Sequence, residues 1–386
     1  MQRPPLLGGR SYFTALFSSL TRLDMQIFET LHSMGHEQVV LCSDPTTGLR
    51  AIIAVHDTSL GPALGGTRMW KYESDEAAIT DALRLSRGMT YKAAVSGVNL
   101  GGGKAVLIGD PRTDKSEAMF RAYGRMVETL RGRYITAEDV GTSVRDMEWI
   151  RMETKYVTGV GGPGGSGDPS PVTALGVFSG MRASAKATWG SDSLSGKRVV
   201  VQGAGNVASY LVEHLVKDGA KVFVSDIYED KAAALAARTG ATVIAADAVF
   251  TTECDVFSPN ALGAILNDTT IPQLTCSIVC GGANNQLQIE RTHAAMLRER
   301  NIMYAPDYVV NSGGLMNVAS EVEGYDRDKV MRQAESIYDI TMNILTTAKE
   351  RNLLTIEASN EIAEDRLRKV RHVHGTYVGS PTIRGV

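Results

Sequence analysis

A chain of 386 residues is too long for one ordinary hydrophobic core, so two domains are expected. Its 43% apolar and 22% charged residues exclude wholesale disorder, and a formal charge of −3 supplies no basic surface for nucleic acid or membrane. No run approaches the roughly 18 apolar residues that a transmembrane helix needs. The four cysteines, Cys42, Cys254, Cys276 and Cys280, are scattered. They read as reduced, mostly buried thiols of a cytoplasmic protein.

Residues 1–24 stand apart, with Arg3, Arg10 and Arg22 and no acid before Asp24. That composition resembles an organelle transit segment. The plainer reading, preferred here, is an upstream start codon, with the fold beginning at Met25. Asp24 is placed to cap a helix that Gly35 ends. Two strand-like runs follow, EQVVLCSD and LRAIIAVHD. A Gly/Pro-rich loop, GPALGGTRMW, then leads into the helical stretch DEAAITDALRLSRGMTYKAA. Lys92 falls at the end of that helix, and Lys104 starts the strand KAVLIGD after three glycines. A second helix, KSEAMFRAYGRMVETLRG, carries the chain to RYITAEDVGTS.

Residues 159–174, GVGGPGGSGDPSPVTA, read as a hinge or active-site loop. Beyond them strands and helices alternate, which predicts a parallel, doubly wound sheet. The fold class is therefore α/β, with two domains and a cleft between them. Residues 25–160 plus 351–386 are assigned to a substrate-binding and oligomerisation domain. Residues 161–350 are assigned to a Rossmann-type dinucleotide-binding domain.

The strand KRVVVQ runs straight into Gly203-Ala-Gly205-Asn206-Val207-Ala208 and a helix. This is G-x-G-x-x-A in the setting that gives it meaning, with glycines for a tight turn and a helix N-terminus for a pyrophosphate. The next strand ends in Asp226, 23 residues beyond Gly203. A carboxylate there accepts from ribose hydroxyls and repels a 2′-phosphate, so NAD is favoured over NADP. Lys231 nearby keeps NADP from outright exclusion.

Nicotinamide chemistry also needs groups that move protons. Lys92 and Lys104, if close and desolvated, would depress each other's pKa and supply a base; otherwise they are surface lysines beside a loop. Asp139 is either a partner for them or a plain helix N-cap. The histidines share no motif, and no metal is expected.

The runs GPALGGTRMW, GMTYKAA, NLGGGKAV, GRYITAEDVGT, GDPSPVTALGV, VQGAGNVA, GGANNQL and YAPDYVVNSGG resemble the Glu/Leu/Phe/Val amino-acid dehydrogenases, leucine dehydrogenase above all. The likeness runs from about Met25 to about residue 370. It implies NAD-dependent oxidative deamination of an L-amino acid to a 2-oxo acid and ammonia, with the reverse reductive amination. It also implies C-terminal helices packed on the first domain and a homo-oligomer, octamer or dimer. By motif, Lys92 would bind the substrate α-carboxylate, Lys104 would be the general base and Asp139 would shuttle protons at the amino group. Leu64, Gly65, Gly66 and Met89 would line the substrate site. Asn284 or Asn285 would lie at the nicotinamide side, with Gly203, Gly205, Asn206, Val207 and Asp226 holding the rest of the cofactor.

Ala137 and Leu315 would set side-chain preference, and they pull apart. Ala137 resembles the leucine enzymes, and Leu315 the phenylalanine and tryptophan enzymes. The branched-chain reading leads, with a phenylalanine or tryptophan dehydrogenase as its alternative. Asp168 and Asn260 depart from the family's usual Asn and Cys. A shikimate-dehydrogenase-like enzyme and a non-enzymatic NAD-sensing module are the readings from other classes.

Overall fold

The computed structural model describes residues 27–162 and 165–374. The 1–24 extension, Asp24 and Met25 lie outside them. Two sheets organise the chain. The first has five strands: β1 (Gln38–Asp44), β2 (Leu49–Asp57), β3 (Ala63–Trp70), β4 (Gly101–Ile108) and β5 (Tyr134–Glu138). Their order is β1-β2-β4-β3-β5, with β3 parallel to both β4 and β5 and the β1–β2–β4 pairs antiparallel. One face packs under the helix Asp75–Val95, capped by Ser74, through Ala78, Ala82 and Leu83. The other face buries Phe120, Tyr123 and Met147 from the helices Glu117–Thr129 and Val144–Arg151.

The second sheet is parallel and six-stranded: β6 (Arg198–Gln202), β7 (Lys221–Ser225), β8 (Thr242–Val243), β9 (Val256–Pro259), β10 (Ile278–Val279) and β11 (Met303–Tyr304). Its order, β11-β10-β9-β6-β7-β8, is that of a doubly wound dinucleotide fold with its switch point between β6 and β9. Val199, Val201, Val224 and Val256 are fully buried, as two-sided packing requires.

Three expectations need correction. GPALGGTRMW is not a loop: Ala63–Trp70 is a central strand, and all three glycines before Lys104 lie inside β4. None of Gly65, Gly66, Gly101, Gly102 or Gly103 has a positive φ, so their use here is close approach. A Cβ on Gly65 would overlap the carbonyl oxygen of Gly103, one on Gly102 would overlap Thr90, and one on Gly103 would lie 2.6 Å from the Tyr134 ring. Asp139 is not a helix cap. That role belongs to Ser143, which forms a reciprocal capping box with Asp146.

The last helix, Thr355–His374, lies on the helix Asp75–Val95 through Ala94, Val95, Ala358, Ala363 and Leu367. Arg366 donates to the carbonyls of Ala93, Ala94, Gly97 and Val98 and to Asn99 Oδ1, closing the C-terminal end of the helix that carries Lys92. All four cysteines are buried and free. No helix among the described residues is long and apolar enough to cross a membrane.

Two histidines sit beneath that same helix with ring centroids 4.7 Å apart. His56 bonds Thr90 Oγ1 at 2.8 Å and the Met34 carbonyl at 3.0 Å; His36 bonds the Leu83 carbonyl at 3.0 Å and leaves Nδ1 buried without a partner. Burial first, and then His56, push His36 down to about 4. The folded protein therefore binds fewer protons than the unfolded chain between pH 6.5 and about 4, and stability falls as pH drops through that window. The thermal midpoint should decline across that range, and decline less in His36→Gln.

Candidate active site

The glycines of β3 and β4 let the two strands approach without side chains between them, and the site forms where they stop. Lys104, the fourth residue of β4, is 5% exposed, and Asp139 follows directly on β5. Lys104 Nζ donates to Asp139 Oδ2 at 2.7 Å. Arg68, on β3, reaches the same oxygen through Nε at 3.1 Å and donates from Nη1 to Asp81 Oδ2 at 2.9 Å. Burial lowers the Lys104 pKa against the pull of Asp139, and the Arg68 cation lowers it further. Burial alone would raise Asp139; Lys104 and Arg68 more than offset it and hold the carboxyl below its ordinary range.

Lys92 belongs to the first sheet's helix, yet its ammonium donates to Asn311 Oδ1 at 2.6 Å, on the far side of the cleft. Asn311 in turn donates to Asn284 Oδ1 at 2.7 Å and to the Gly282 carbonyl at 3.2 Å. Burial draws Lys92 down to about 8, opposed by buried Asp307 and assisted by Lys104. Lys104 and Lys92 thus disfavour each other's charge, since a Coulombic repulsion acts on both partners, and the Arg68 cation adds to it at Lys104.

Leu64, Met89 and Leu315 meet in one apolar cluster with Ala93, Leu100 and Ile135. Ala137 is buried and pairs with Gly66 across β3 and β5. Leu315 comes from the helix Gly313–Glu323, whose far end carries Glu321. That carboxylate accepts from the N–H of Gly159 at 3.1 Å and of Ser166 at 2.8 Å, tying together both ends of the glycine-rich connection.

At the second sheet, Gly203 has φ +98° and Gly205 begins the helix Asn206–Lys217. Val207 is partly buried, packed at the helix start, and Ala208 is fully buried against the sheet. Asp226 Oδ2 accepts from Ala204 N at 2.7 Å and Oδ1 from Tyr228 N at 2.9 Å, so the carboxylate stands fixed beside the glycine turn. Nothing lies within 4 Å of the place a Gly205 Cβ would take, which leaves that face open to a phosphate. These residues fit a dinucleotide. Of the two asparagines expected at the nicotinamide side, Asn284 joins the Lys92–Asn311 chain. Asn285 instead takes a left-handed turn (φ +51°), its carbonyl accepting from Ala264 N at 2.7 Å.

Both family departures are absorbed locally. Asp168 Oδ1 accepts from Ser170 N at 2.9 Å, just ahead of the helix Ser170–Trp189, and Asn260 accepts from Gly282 N at 2.9 Å. The sequence reading missed Arg68, Asp81, Asp307 and Asn311. Arg68 and Asn311 stood inside the quoted runs GGTRMW and NSGG, but only the fold shows what they touch.

Residues 36–156 match the family described as Glu/Leu/Phe/Val dehydrogenase, dimerisation domain. Residues 164–228 and 225–375 match Glutamate/Leucine/Phenylalanine/Valine dehydrogenase. Leucine dehydrogenase of Thermoactinomyces intermedius is 53% identical over 92% of this chain and 97% of its own length. Valine dehydrogenase of Streptomyces virginiae is 48% identical over 91% and 100%. The crystal structure of L-tryptophan dehydrogenase from Nostoc punctiforme superposes with a TM-score of 0.81 at 46% identity, covering 89% of this chain and 99% of that one. The chain belongs to the Glu/Leu/Phe/Val dehydrogenase family and is an amino-acid dehydrogenase.

Proposed function

We propose that the protein catalyses NAD-dependent oxidative deamination of a branched-chain L-amino acid, leucine with valine and isoleucine, and the reverse amination. The observation that carries this reading is the cleft itself. A buried Lys104, paired at 2.7 Å with the half-buried Asp139, faces a second lysine that already reaches across to the second sheet's side.

Lys92 holds the substrate α-carboxylate as a point charge, taking it in place of, or beside, Asn311. Leu64, Met89, Ala137 and Leu315 receive the side chain, and the backbones of Gly65 and Gly66 line the floor. Gly203, Gly205, Asn206, Val207 and Asp226 would hold NAD, with Asn284 or Asn285 near its nicotinamide, and the bound cofactor would supply the acceptor for the hydride of the substrate Cα. The substrate is left as an iminium ion. Neutral Lys104 takes a proton from the water that adds to the iminium carbon. Asp139, a carboxylate at rest, takes a proton from the substrate ammonium before the hydride leaves and returns it to the amino nitrogen of the carbinolamine. The C–N bond then breaks as the hydroxyl proton passes to the departing ammonia, which leaves as ammonium with the oxo acid, and Lys104 returns its own proton to solvent. Burial of Lys104 and partial burial of Asp139 strengthen each proton transfer, because solvent screens it less than at the surface.

Residues 25–160 with 351–386 act as the substrate and oligomerisation domain, and residues 161–350 as the cofactor domain. Closure turns on residues 160–171 and the region around residue 350. The enzyme works in the cytoplasm as a homo-oligomer, octamer or dimer. NADH oxidation should require both a 2-oxo acid and ammonium; activity without ammonium would point to a shikimate-dehydrogenase-like enzyme instead. Asp226 should govern the cofactor. A hydrogen bond to a charged group is worth about 1.5–3 kcal/mol, so Asp226→Ser should shrink the NAD-over-NADP ratio of kcat/KM by roughly one to two orders of magnitude.

A further inference from the structure

Arg68 is a cation of the cleft for which the proposed reaction has no use. It stands 23% exposed between two carboxylates, Asp139 and Asp81, which come from different elements. Asp81 belongs to the helix that carries Met89 and Lys92, and its Oδ2 takes Arg68 Nη1 at 2.9 Å and the Tyr72 hydroxyl at 2.6 Å. Arg68 is therefore anchored at one end before it reaches the other. At that other end Arg68 Nε and Lys104 Nζ both fall on Asp139 Oδ2, while Asp139 N is held by Thr142 Oγ1 at 3.0 Å. Among the described residues, the hydrogen bonds to the Asp139 carboxylate thus converge on one oxygen and leave Oδ1 for an incoming group.

We propose that Arg68 is a positioning residue for the reaction: with Lys104 it fixes Asp139 through Oδ2, so that Oδ1 is the oxygen that exchanges a proton with the substrate's amino group. This rests on the proton-transfer reading of Asp139. A guanidinium suits the task because its fork binds two carboxylates in fixed directions, which the single ammonium of a lysine does not. Its charge has a second consequence. It faces Lys104, Asp139, Asp81 and Tyr72, with Lys92 and Tyr134 also felt at Asp139, and it favours the neutral form of Lys104.

The test is the pH profile of leucine oxidation in the full-length enzyme, for Arg68→Met, Arg68→Lys and Asp139→Asn, with NADH affinity measured alongside. Removing a cation beside Lys104 raises its pKa, so in Arg68→Met the ascending limb of kcat/KM should move up by about one pH unit. Its kcat should fall roughly ten- to a hundredfold, with NADH affinity unchanged. Arg68→Lys should keep the limb near its native position while kcat stays several-fold low, separating charge from geometry. If Arg68→Met does not fold, a low kcat with native NADH binding in Arg68→Lys supports the assignment. A native limb in Arg68→Met, or native kcat in Arg68→Lys, overturns it. An inactive Asp139→Asn beside a native Arg68→Met overturns this assignment alone; native turnover in Asp139→Asn overturns the proton-transfer reading and this assignment with it.

Discussion

Lys104→Ala should lower kcat by about two to four orders of magnitude, the range that a positioned general base supplies, while NADH binds as before. The two effects separate because Lys104 lies on β4 of the first sheet, whereas Gly203, Gly205 and Asp226 lie just past the ends of β6 and β7 of the second. The loss should not be a folding defect. Arg68 still donates to Asp139 Oδ2, so the carboxylate keeps a cationic partner when Lys104 is removed. Steady-state leucine oxidation and NADH fluorescence titration measure the two quantities. Parallel loss of both would make Lys104 a structural lysine.

Gly65→Ala should be the most damaging single-methyl change in the substrate half. A Cβ there would overlap the Gly103 carbonyl, a backbone atom in the middle of the β3–β4 ladder, and no side-chain rotation relieves it. Overpacking in a rigid core costs about 1–3 kcal/mol and more where backbone must move, so a loss of about 3 kcal/mol or greater is expected. Since β3 and β4 carry Arg68 and Lys104, any separation of the strands also parts the groups that meet at Asp139 Oδ2. Denaturant unfolding gives the stability change. Gly97→Ala is the comparison, since that glycine has nothing within 4 Å of its added carbon and would lose stability only through its φ of +75°.

What could be read from the residues follows how local each signal is. The nucleotide turn was legible because Val199–Ala208 writes strand, turn and helix within ten residues, and Asp226 falls at the end of the next strand. Long motifs singled out Lys92, Lys104 and Asp139, and the fold pairs Lys104 with Asp139 and sends Lys92 to Asn311. The glycine runs misled because glycine signals a loop by propensity. Here tertiary packing overrides it: two glycine-lined strands fit together because they lack side chains. Asn311 was missed for a different reason. Its contact with Lys92 spans 219 residues, and neither local sequence carries any trace of the other. Arg68 was passed over because a lone arginine beside glycines has no pattern of its own. Its meaning comes from two carboxylates, one 13 residues away and one 71 residues away.

Side-chain choice remains the finest consequence of the cleft. At Ala137 and Leu315, the positions proposed to receive the side chain, a difference of a methylene or so is worth about 1–3 kcal/mol, which is enough to rank substrates but not to change the reaction. The most direct measurement is NAD reduction with L-leucine, L-valine, L-isoleucine, L-phenylalanine and L-tryptophan at alkaline pH, reported as kcat/KM for each. The three branched-chain substrates should lead, with ammonia released in step with NADH. A lead for phenylalanine or tryptophan would contradict the branched-chain reading, and no turnover with any of the five would contradict the catalytic roles given to Lys92, Lys104 and Asp139.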